Sequence, residues 1–197
     1  MNRLRERSLL LALTGFLSLN LARSGGIVDV SPKITVDVSG SHKASAFGMS
    51  GSLGVNTGVS LGVEVGRNLP EVFNFGVGLA YLFPREQEIS GSGKFSFIPI
   101  YAILRLSLVT GDANIVPSIV GNLGYNAVFD GDGNYRGPWS LSGGLYAGGG
   151  LRLDFSSVFL EGQYKMFNGS ASISNGYSGA SIDVTYTTFA LGFGVLL

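Results

Sequence analysis

The side chains able to do chemistry are few. The 197 residues include one histidine, His42, and no cysteine. There is thus no disulfide framework and no thiol nucleophile, and a serine nucleophile has a single possible imidazole base. His42 lies outside the best-patterned part of the chain, so a Ser–His–acid triad has no candidate. The acids Asp130, Asp132 and Asp183 fall in predicted loops or at their edges. The run Phe129-Asp130-Gly131-Asp132-Gly133-Asn134 faintly resembles a calcium loop, but the bidentate glutamate is missing at the required spacing. Turn chemistry accounts for these residues better. The expectation is no enzyme: no catalytic residue, no cofactor site and no metal site.

A second set of charged residues is more regular. Glu64, Arg105, Arg152, Glu161 and Lys165, with Gln163 among them, alternate with large apolar residues. Alternation is the period of a strand with two different faces, so these side chains share the small or polar face. Glu64, Arg105, Arg152 and Glu161 lie close in sequence to predicted short turns, which places two acids and two bases at one level. Buried charges must be paired to be tolerated. The cluster reads as a charge-neutral structural network or, in the functional alternative, as a gate on a narrow ion path.

The elements that would position them follow from the same period. Val59, Leu61, Val63 and Val65 alternate with Ser60, Gly62 and Glu64; Phe73, Phe75, Val77, Leu79, Tyr81 and Phe83 alternate with Asn74, Gly76, Gly78 and Ala80. Leu141, Leu145, Leu151 and Leu153 repeat the pattern beside Tyr146 and Arg152, and Phe189, Leu191, Phe193, Val195 and Leu197 close the chain in the same way. Strands are predicted at about 44–55, 57–67, 72–83, 94–108, 115–129, 139–153, 158–168 and 182–197. Short hairpins near 68–72, 109–114 and 154–157 would keep the apolar faces together, pairing Val65 with Phe75, Leu104 with Ile119, and Leu151 with Leu160. A three-residue hairpin at Asn56-Thr57-Gly58 would pair Val55 with Val59. Residues 27–39 also look extended, so the first strand lies either there or from residue 44. Pro99 and Pro117 fall inside strands, where each is expected to mark a bulge. Phe95 and Phe97 then either project above the membrane or change face at such a bulge.

Composition agrees. Charged residues make up 13% of the chain against roughly 25% in soluble domains, glycine reaches 31, and the balance of 13 basic to 13 acidic residues is unlike a nucleic-acid-binding surface. The mean hydropathy is +0.34, yet beyond residue 21 no run is apolar for the ~18 residues of a membrane helix. An eight-stranded closed barrel has an interior just wide enough for side chains to fill. The bulky faces do not fit inside it, whereas the Gly, Ser and Asn faces do. The apolar face therefore turns outward, as in a membrane barrel. Tyr81, Phe83, Tyr125, Phe129 and Trp139 fall at the long-loop ends of their strands, where an aromatic girdle meets the lipid–water boundary.

The stretches FNFGVGLAYLFP (73–84), FIPIYAILRLSL (97–108), GLYAGGGLRLDFSSVFLEGQYKMFN (144–168) and TTFALGFGVLL (187–197) make the chain resemble the OmpA- and OmpX-type outer-membrane barrels. The resemblance implies an all-β, closed, antiparallel, up-and-down transmembrane barrel with short periplasmic turns and longer extracellular loops. It implies lipid bilayer and lipopolysaccharide as surroundings, and an insertion machinery that reads the C-terminal strand. That family commonly ends on an aromatic residue; here Leu197 takes the place, with Phe193 and Phe189 in phase. Arg3, Arg5 and Arg7, the apolar run Ser8–Leu21 and Ala22-Arg23-Ser24 form a secretory signal pattern over residues 1–24. Residues 25–43 are then an extension or the start of the first strand, and 44–197 the barrel domain. The expected function is a monomeric outer-membrane barrel with a filled lumen and a structural or surface-interaction role. The alternative is a small porin-like channel for ions or small hydrophobic solutes.

Overall fold

The computed structural model describes residues 28–46, 49–68, 72–86, 94–109, 113–130, 139–174 and 179–197. The expected signal segment, 1–24, lies outside them. Every regular element among the described residues is a strand: β1 (Asp29–Ala46), β2 (Met49–Val55), β3 (Gly58–Asn68), β4 (Phe73–Glu86), β5 (Lys94–Ser107), β6 (Val116–Asp130), β7 (Trp139–Phe155), β8 (Val158–Ser174) and β9 (Gly179–Val195). β3 through β9 pair antiparallel in chain order, and β1 pairs with both β3 and β9, which closes the sheet. Closure satisfies the backbone without water, the condition for crossing a bilayer with strands. The terminal residues join the seam, Leu197 N–H donating to Val30 O at 3.0 Å and Leu196 N–H to Ser157 O at 2.8 Å.

Nine strands make eight staves, because β2 and β3 are one. β1 pairs its first half with β3, ending at Asp37 opposite Gly58, and its second half with β2, resuming at Gly40 opposite Val55. The register is unbroken across the gap. Asn56 and Thr57 face Val38 and Ser39, and the Thr57 hydroxyl donates to Val38 O at 2.6 Å. The expected hairpin at Asn56-Thr57-Gly58 is therefore not formed. Val59 meets Val36 rather than Val55, and Leu61 meets Ile34 rather than Leu53. Both pairings keep apolar faces together, so parity alone did not separate them. The ladder does: Asp29–Asp37 pair with β3, Gly40–Ala46 with β2, and Lys33–Ser45 with β9 on the other side, pairings that the hairpin would forgo. The first strand starts at Asp29, the earlier of the two positions considered.

The three short hairpins form with the expected parity and a shifted register. Val65 meets Val77, Leu104 meets Gly121, and Leu153 meets Leu160. Each differs by two residues from the expected pairing, since a shift of two preserves both faces whereas a shift of one inverts them. The last hairpin turns on Ser156 and Ser157 alone, with Ser156 at φ 55° in the left-handed region. Bulges interrupt β1 between Asp37 and Ser39, β4 between Leu82 and Arg85, and β7 between Gly143 and Tyr146. None sits at Pro99 or Pro117, which pair regularly with Asn126 and Leu153. Pro117 lies at the start of its strand, where its O accepts from Leu108 N–H at 2.8 Å and no amide of its own is needed.

The outer wall is apolar over a limited height. Outward residues from Phe73 to Phe83 on β4 are large, apolar and largely exposed, and from Leu145 to Leu153 on β7 three leucines are exposed with Ala147 and Gly149 between them. Those spans match the ~9–11 residues of a tilted transmembrane strand. β7, β8 and β9 each run 17 residues, so their loop-side ends rise beyond the belt as a β-rim. No helix of the described residues is long and apolar enough to cross a membrane; the strands do so.

Candidate functional site

The inward face of every stave meets on the barrel axis, and its side chains form two tiers. The lower tier, towards the short turns, is ionic. Glu64 on β3 is fully buried and accepts from Lys33 Nζ at 2.5 Å, from Tyr101 Oη at 3.2 Å and from the Arg105 guanidinium. Arg152 approaches the same carboxylate at 3.6 Å and donates through Nε to Asp154 at 2.7 Å. Lys33 donates a second time, to Glu161 at 2.6 Å. Phe159 lies under the Arg152 guanidinium, 3.5 Å from ring centroid to Cζ, and its ring occupies the space that a Cβ on Gly194 would need. Three cations and three carboxylates thus balance around one glutamate.

Four of the residues singled out in the sequence, Glu64, Arg105, Arg152 and Glu161, are brought together here. The fifth, Lys165, lies higher on β8, 3.7 Å from Asp37. Lys33 and Asp37 join the lumen only with the earlier of the two possible starts of the first strand. Once β1 begins at Asp29, the outward Ile34 and Val36 put Lys33, Thr35 and Asp37 inside by alternation.

The upper tier is aromatic. Phe97 stacks on Phe167 (5.2 Å, 19°) and Tyr186 (5.8 Å, 10°), with Phe95 edge-on at 5.2 Å. Tyr146 packs between Phe167 and Tyr101, 5.0 Å from each. Small residues on neighbouring strands make room. The Tyr101 ring fills the position of a Cβ on Gly78, and the Tyr186 ring that on Gly40. Phe95 and Phe97 are buried on the same face as Tyr101 and Arg105, with no change of face along β5. They stay on the inward face and do not switch sides. A polar lumen was the expectation; its upper half is an aromatic core.

Arg85 ties the tiers to the wall. Strict alternation along β4 would point it into lipid with Phe83. The bulge after Leu82 inserts one residue and returns Arg85 to the lumen, where it lies over Gly58 and donates to Asp37 and to the Tyr186 hydroxyl. Further polar pairs line one side: Asn122 Nδ2 donates to Gln163 Oε1 at 3.0 Å, and Asn126 Nδ2 to Asn168 O at 3.3 Å.

On the outside, Phe83, Tyr125 and Phe129 are exposed, and the half-buried Tyr81 meets Phe83 edge-on at 5.2 Å. Trp139 opens β7, but its side chain lies outside the described set, as do the side chain of His42 and residues 131–138 with Asp132. A groove of about 410 Å³ lined by Leu151, Leu153, Leu160 and Leu191 opens on the outer wall, within the lipid-facing belt.

A closed antiparallel sheet of eight staves, apolar outside and filled inside, decides the class. The fold is that of the small outer-membrane β-barrels. Solved structures agree. The outer membrane protein OprG from Pseudomonas aeruginosa superposes with a TM-score of 0.58 at 17% identity over 86% of this chain and 94% of its own. The outer membrane protein AlkL, solved in lipid bilayers, gives 0.57 at 13% identity over 90% and 95%. No family model and no curated protein matches the sequence. The exposed apolar belt suits a wall that faces lipid, and the barrel's neighbours in fold are outer-membrane proteins.

Proposed function

We propose that this barrel is a non-catalytic, monomeric membrane protein with a closed lumen, whose role is structural or is carried by its loop-side rim in contact with the surroundings. The observation that carries this reading is the pair of plugs in series. An ionic network centred on Glu64 and an aromatic stack centred on Phe97 leave side chains, rather than a pathway, on the axis. The charge cluster is then structural, and Glu64, Arg105, Arg152, Glu161 and Lys165 hold the wall together from within. Tyr81, Phe83, Tyr125, Phe129 and Trp139 serve as the girdle facing lipid headgroups and lipopolysaccharide. The C-terminal strand, with Phe189 and Phe193 outward and Leu197 in the seam, presents the insertion signal.

The test is planar-bilayer conductance of the refolded protein. No steady conductance is expected; steady channels that widen in Arg152→Ala would replace this reading with the porin-like one.

A further inference from the structure

The two tiers differ in their balance of charge. The lower tier sets Lys33, Arg105 and Arg152 against Glu64, Glu161 and Asp154, and closes to zero. Above it, Arg85 and Lys165 share one carboxylate, Asp37. Among the described residues one positive charge is left over, where all three of these side chains are almost wholly buried.

Geometry assigns that excess to Lys165. Arg85 takes the direct hydrogen bond to Asp37 Oδ2. The Lys165 ammonium is left 3.7 Å from Asp37 Oδ1, beyond hydrogen-bond range, and that oxygen has no hydrogen-bond partner. An ammonium carries three donors. Two residues earlier on the same face of β8, Gln163 gives its Oε1 to Asn122, and its Nε2 is buried with no partner. Two donors therefore project into the lumen at adjacent inward positions, roughly 7 Å apart along the strand. The flanking strands place small residues opposite them: Gly148 and Gly150 on β7, Thr188 and Ala190 on β9.

We propose that Lys165 and Gln163 form a binding site for one small inorganic anion of halide size, seated between the ionic and aromatic tiers. Water can meet the unpartnered oxygens of Asp37 and Glu161, but it carries no charge. A buried ammonium that only shares a carboxylate with a guanidinium is costlier than an unmade hydrogen bond. Asp37 and Glu161 face the same space and repel an anion, and Arg85 and Lys33 face it from the other side; the sum is positive. This limits the site to a single monovalent ion.

The probe is chloride itself, with the full refolded barrel in detergent micelles. Its thermal unfolding is followed in sodium chloride and in sodium gluconate at equal ionic strength, gluconate being too large for the site. Chloride at ten times its dissociation constant favours the folded state about elevenfold, so the unfolding midpoint rises saturably in chloride only. Lys165→Met removes the difference, whereas Arg67→Gln, an exposed cation outside the lumen, retains it. Should Lys165→Met fail to fold, chloride-35 line broadening by the wild-type barrel replaces it, reversed by bromide in competition. Equal midpoints in the two salts, a chloride effect that survives Lys165→Met, or no chloride-35 broadening would overturn the site.

Discussion

The two halves of the lumen solve one problem by different physics. Near the short turns, Glu64 sits at the centre of directed, charge-assisted contacts from Lys33, Arg105 and Arg152. Towards the loops, Phe97 sits at the centre of rings related by stacking and edge contacts. The ionic tier gains its stability from completeness: remove one partner and the others become unpaired buried charges. The aromatic tier gains it from area and fit, so a loss is local and graded. One tier fails all at once and the other by degrees.

Substitutions separate them. Glu64→Ala should have the largest effect, about 3–5 kcal/mol of destabilisation, read as a fall in the urea midpoint of the heat-modifiable folded form on gels. A loss below ~1 kcal/mol would mean that water already compensates these charges. Phe97→Leu keeps the apolar character but removes the stacking, for a loss of about 0.5–1.5 kcal/mol, measured in the same way. An effect as large as that of Glu64→Ala would erase the distinction between the tiers. Thr57→Val deletes the hydroxyl that bridges the gap between β2 and β3 and should cost roughly 0.5–1.5 kcal/mol. It should also speed amide exchange at residues 38–40 without altering the tiers. Ser156→Gly relieves the left-handed backbone at the two-residue turn and should stabilise by up to ~1 kcal/mol. Its effect lies outside both tiers and calibrates the smallest change the gels report.

The same contrast explains what the sequence made legible. Parity was readable everywhere the chain alternates, so the eight-stave closed barrel and the meeting of Glu64, Arg105, Arg152 and Glu161 followed from it. Absolute register was not, since a shift of two residues leaves both faces intact; Leu153 meets Leu160 rather than Val158 for that reason. Arg85 was invisible because its inward direction comes from the bulge after Leu82, which breaks the alternation used to read it. Phe95, Phe97 and Phe167 were hidden differently. Apolar rings on an inward-facing parity conflict with an all-polar lumen, yet a lumen lined by Gly40 and Gly78 has room for them. Lys33 and Asp37 were not legible while the first strand could start at either of two positions, although Ile34 and Val36 carry the signal for the earlier one.

The central claim is that two independent plugs close the barrel in series. It is tested most directly by single-channel recording on four forms in planar bilayers: wild type, Glu64→Gln/Arg105→Gln with a weakened lower tier, Phe97→Ala/Phe167→Ala with a weakened upper tier, and the fourfold variant. Wild type and both partial variants should stay closed, each held by the remaining tier, and the fourfold variant should conduct. Steady conductance in the wild type, or in either partial variant, would contradict closure by two plugs.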